Sequence, residues 1–78
     1  MSGLLADAWA SYRERVVPAE AGEVQVQECR RAFYAGARAI EAMFRAMADM
    51  PDSEGAVVLG EVIGELEGFA DGVRGGAR

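Results

Sequence analysis

Only two prolines interrupt this chain, Pro18 and Pro51, and they divide it into three pieces. Proline lacks the backbone N–H that a helix needs and pushes the preceding residue out of helical angles. Within each piece the apolar residues recur every three or four positions, the spacing of a helix rather than of a strand. The pattern predicts helices over about 3–17, 24–50 and 53–73, with a frayed tail at 74–78.

The middle piece is the longest, and at 100° per residue it shows three faces. Val26, Cys29, Phe33, Ala37, Ile40, Phe44 and Met47 form an apolar side. Ala32, Ala35, Ala39, Ala42 and Ala46 form a second. Gln27, Arg31, Tyr34, Arg38, Glu41 and Arg45 form a third, polar side. A surface helix needs only two faces, so this one is expected to meet more than one neighbour. Its weak position is Gly36, which costs up to about 1 kcal/mol against alanine and predicts a close crossing by another helix.

In the first helix Leu5, Ala8, Trp9, Tyr12 and Val16 share a stripe, with Trp9 as the anchor. Ser2 is a candidate N-cap. The short, acidic connector after Pro18 is too brief to link separate domains. After Pro51, Asp52 or Ser53 is placed to cap the third helix. Its stripe is Leu59, Val62, Ile63, Leu66, Phe69, Ala70 and Val73. The tight connection predicts that the second and third helices run antiparallel. Off that stripe, Gly60, Gly64, Gly68 and Gly72 recur every fourth residue. A ridge without side chains invites close approach by another backbone.

The fold expected is therefore all-α: a short N-terminal helix packed on an antiparallel helical hairpin. At 78 residues it is one small domain with room for only a modest core. Cys29 is the only cysteine and no histidine is present, so neither a disulfide nor a zinc cage can staple it. Self-association is the remaining way to bury more surface, which predicts a homo-oligomer.

Composition also narrows function. The net charge of −5 opposes general nucleic-acid binding, which needs a basic face to release counterions. The stretch 24–50 is the exception, with four arginines against three carboxylates. No basic leader and no apolar run of membrane-spanning length is visible, so a soluble cytoplasmic protein is expected. No cofactor is implied. Without histidine, a Ser/His or Cys/His pair, or a phosphate-cradling glycine loop, the residues support no catalysis, and a non-enzyme is expected.

What they do support is anion binding. Arg31, Arg38 and Arg45 stand seven apart, about 10 Å from one to the next along a helix. Gln27 and Tyr34 lie among them, and Tyr12 offers a second ring. Guanidinium forks suit phosphate, and an aromatic ring suits a base. The same row also reads as a solvated face held by pairs such as Glu41 with Arg45.

The run from Gln25 to Ala37 resembles a segment of small helical proteins of phages and prophages, to which no activity attaches. The layout, with Pro51, Ser53 and Glu54 at its turn and Arg30 and Arg31 early in the long helix, is similar to the helical-hairpin phage sponges. That family sequesters cyclic nucleotide signals of bacterial antiphage defence and works as oligomers in the host cell. The resemblance implies a protein that sequesters a phosphate-containing cyclic nucleotide without cleaving it. It carries over no binding residue, since the chain has no lysine. The alternative is a structural or interaction protein docking a helical surface on a host or virion protein.

Overall fold

A computed structural model describes residues 3–76. It contains three helices, α1 (Leu4–Val16), α2 (Glu23–Met47) and α3 (Asp52–Arg74), and no strand among the described residues. The all-helical expectation is met. The chain divides into two compact units, Met1–Glu41 and Ala42–Arg78, with the boundary inside α2.

In the first unit α1 docks on the early turns of α2 through three rings. The Trp9 centroid lies 5.6 Å from Phe33 and 6.0 Å from Tyr12, and Tyr12 lies 5.5 Å from Phe33. All three pairs are tilted, the geometry that ring quadrupoles favour, and each adds roughly 0.5–1.5 kcal/mol beyond the area it buries. Trp9 is buried, as an anchor should be, at 8 % exposure. Its stripe is narrower than the sequence suggests, because Leu5, Ala8 and Val16 stay exposed. A helix of 13 residues meets its neighbour over little more than two turns.

The other buried residue is Val17, just past the end of α1. Its extended backbone, the conformation favoured before Pro18, turns the side chain inward. Its N–H still donates to the Arg13 carbonyl at 3.2 Å. The Ala21 N–H then donates to the Pro18 carbonyl, and the Val26 N–H to that of Gly22, carrying the chain into α2. Gly3 holds the N-cap position of α1, and the proposed Ser2 cap lies outside the described residues.

The apolar side of α2 is largely as its periodicity indicates. Val26, Cys29, Phe33, Ala37, Ile40 and Met47 are half-buried, while Phe44 is exposed and the five-alanine side is exposed throughout. The close crossing expected at Gly36 is absent: a Cβ built there meets nothing within 4 Å. α2 also ends three residues earlier than Met50. Pro51 denies Met50 helical angles, and the chain unwinds through a turn in which the Met50 N–H donates to the Met47 carbonyl.

In the second unit the half-buried residues include Met47, Met50, Gly55, Val58 and Val62, near the turn. Neither Asp52 nor Ser53 caps α3. Pro51 takes the N-cap position without a side-chain cap, and Asp52 and Glu54 instead occupy the first turn. There they face the positive end of the helix dipole. At the far end Gly75 and Gly76 are not frayed. The Gly75 N–H donates to Asp71 and the Gly76 N–H to Val73. Gly76 has φ +80°, a left-handed closing residue that glycine adopts without strain. Ala77 and Arg78 lie outside the described residues.

The predicted stripe of α3 is mostly uncovered: Val62 and Ala70 are half-buried, while Leu59, Ile63, Leu66, Phe69 and Val73 are exposed. The glycine ridge meets nothing either, since a Cβ at Gly60, Gly64, Gly68 or Gly72 finds no atom within 4 Å.

Two stability outcomes follow. Trp9→Ala should cost roughly 3–5 kcal/mol, comparable to the whole stability of so small a domain. Thermal melting by circular dichroism should therefore show loss of the cooperative transition. Gly64→Ala and Gly68→Ala should each stabilise by up to about 1 kcal/mol, because alanine is the better helix former and the space is open. Urea titration checks this, and destabilisation would show that the ridge is packed against something.

Candidate functional site

Residues 27, 30, 31 and 34 are related by steps of three and four, so α2 brings them to one side of its first turns. Gln27, Arg30, Arg31 and Tyr34 line an open surface hollow of about 380 Å³ within the first unit. The volume lies in the range of small-molecule sites, although most such sites are deeper and more enclosed.

The aromatic cluster reaches directly into this hollow. Phe33 packs on Trp9 and Tyr12, and its ring also meets the Tyr34 ring edge-on, with centroids 5.8 Å apart at 68°. Tyr34 is therefore half-buried, on a polar side whose other members are exposed. Its phenol is braced from behind while its ring carries Arg30, whose guanidinium carbon lies 5.4 Å from the centroid. That is a cation–π contact, worth about 0.5–1 kcal/mol at an exposed site. Arg30 remains exposed there.

Arg31 is held differently. Its Nη1 donates to Glu28 Oε2 at 2.9 Å, an i,i+3 ion pair with both side chains largely exposed. The pair orients Arg31 but partly neutralises it, and an incoming phosphate must compete with the carboxylate. The hollow thus offers two guanidinium groups, one carboxamide and one phenol. These are donors and a stacking surface. Cys29 is half-buried on the apolar side of α2, in a separate hollow with Tyr12, Ala32 and Phe33. Among the described residues no cluster of three or more potential metal ligands occurs.

The sequence-derived set is therefore divided. Gln27, Arg31 and Tyr34 come together as the helical spacing requires. Tyr12 belongs to the aromatic packing and borders the Cys29 hollow instead. Arg38 is exposed and does not line the Gln27 hollow. Arg45 belongs to the second unit. The residue added by the structure is Arg30. Its i,i+4 relation to Tyr34 was available as a signal, but a row built on seven-residue spacing passes it by.

No family model, curated protein or solved structure matches this chain. Among the described residues no helix is long and apolar enough to cross a membrane.

Removing the ion pair should matter little to folding. Exposed pairs contribute about 0–1 kcal/mol. Glu28→Gln should accordingly change urea-unfolding stability by less than about 0.5 kcal/mol, while freeing Arg31 and tightening any anion bound beside it.

Proposed function

We propose that this chain is a non-enzymatic binding protein that sequesters a phosphate-containing nucleotide signal of the cyclic type. On this reading it is a phage-derived protein in the cytoplasm of a bacterial host and counteracts antiphage defence. The observation that carries the proposal is the Arg30–Tyr34–Arg31 grouping, two guanidinium groups flanking a braced ring. Phosphate oxygens are recognised by guanidinium forks, and a nucleobase by a π-face. The Gln27 carboxamide adds hydrogen-bonding capacity toward a base or ribose edge.

The remainder of the reading concerns architecture. The four-residue connection between α2 and α3 suits an antiparallel hairpin on which α1 packs. A homo-oligomer of such hairpins would bring several copies of the open hollow near one another and exclude water from a bound ligand. Arg38 would then lengthen the cationic row toward a larger, multiply charged ligand.

Calorimetric titration with cyclic dinucleotides, cyclic trinucleotides and cyclic ADP-ribose isomers tests the proposal. Binding at micromolar concentrations or below is expected for at least one of them, with the ligand recovered chemically unchanged. An Arg30→Ala, Arg31→Ala double variant should bind at least tenfold more weakly while keeping its helical content. Absence of binding up to millimolar ligand, with the protein folded, would remove it.

A further inference from the structure

Most exposed apolar residues of α3, Val57 apart, fall with the half-buried Ala70 along one row. Ala56, Leu59, Ile63, Leu66, Ala70 and Val73 follow one another by steps of three, four, three, four and three. That is the alternation of a coiled-coil seam, in which each side chain of one helix inserts between four of another. Leu59, Ile63, Leu66 and Val73 are 40 %, 46 %, 60 % and 50 % exposed, and Phe69, flanking the seam, is 61 % exposed. Complete covering of these five residues would bury on the order of 500 Å² per chain, roughly 1,000 Å² in a symmetric pair, the lower bound for a specific interface.

We propose that α3 pairs with α3 of a second copy of this chain, antiparallel, along this seam. The orientation follows from volume and charge, and the occupant from a seam whose layers are complementary to themselves when reversed. In an antiparallel pair Ala56 meets Val73, Leu59 meets Ala70 and Ile63 meets Leu66 of the other copy, so each layer joins a larger to a smaller or similar side chain. A parallel pair sets alanine on alanine at two layers and leaves them underfilled, which costs packing. Most carboxylates of α3 keep clear of the seam, while Glu67 flanks it. Glu54, Glu61, Glu65 and Asp71 project from the outward positions of the heptad. The helix begins with Asp52 and ends with Arg74. Antiparallel pairing sets the acidic start of one copy beside the Asp71–Arg74 ion pair of the other, whereas parallel pairing sets the two acidic starts beside one another.

Two and a half heptads would be too short for an isolated coiled coil, but here α3 is already helical as part of a folded unit. Val62 and Phe69 widen the seam on one side. The glycine ridge lies around the opposite side of α3 and takes no part. The proposal stands on α3 alone, independent of whether the Arg30 hollow binds a nucleotide.

Sedimentation equilibrium on the full chain tests it. A dimer at micromolar concentration is expected. Leu66→Asp should weaken dimerisation at least a hundredfold without loss of helical content, and the outward Glu61→Gln should leave it unchanged. Cross-linking keeps the test independent of that variant's folding. In a Cys29→Ser background, Leu59→Cys chains mixed with Ala70→Cys chains should form a disulfide under mild oxidation, and Leu59→Cys chains alone should not. A monomer up to about 100 µM, a dimer indifferent to Leu66→Asp, or efficient cross-linking of Leu59→Cys with itself would each overturn the proposal.

Discussion

The mutual contact of Trp9, Tyr12 and Phe33 holds the first unit together, and the other structural features of that unit depend on it. α1 is too short to persist in water by itself, since helices of its length are marginal without tertiary contacts. The three rings provide those contacts with few residues. Aromatic side chains bring large apolar surface at the cost of only two rotatable bonds each, and their tilted packing is specific in angle as well as in area. With only Trp9 and Val17 buried among the described residues, the chain must draw heavily on such groups.

The same cluster links stability to the candidate site. Phe33 presents one side to Trp9 and Tyr12 and meets Tyr34 with the other. Tyr34 in turn carries Arg30. The result is a chain of contacts from the core of the unit to a guanidinium at its surface. A binding group gains affinity when its orientation is fixed before the ligand arrives, because less entropy is lost on binding. Arg30 is positioned by this route, whereas Arg31 is positioned by a solvated ion pair with Glu28. The two arginines are neighbours in sequence yet are held by different forces, one by a cation–π contact with a braced ring and the other by an ion pair that salt screens.

Helix α3 presents the opposite situation. Its dihedrals are regular and its ends well defined, yet its apolar residues are uncovered. Burial of apolar surface is the main favourable contribution to folding, and the ordered row of exposed Leu, Ile, Phe and Val side chains leaves that contribution unmade within one chain. Most of its carboxylates lie outside that row.

Much of the local structure was legible in the residues. Two prolines located the helix boundaries to within a few positions, and the three-and-four spacing identified the helices and most of the half-buried side of α2. The grouping of Gln27, Arg31 and Tyr34 likewise follows from helical pitch. These are short-range properties, determined by backbone sterics and the rise per residue. Periodicity identifies which side of a helix is apolar, but not whether a neighbour reaches it. Only the tertiary structure could therefore decide that Val17 is buried and Leu5 is not, that Gly36 faces open space, and that Tyr12 packs inward. It also decided that Arg30 rather than Arg38 shares a hollow with Tyr34. Each of those outcomes depends on where a second element lies, and contacts between distant segments are not encoded in the spacing of either one.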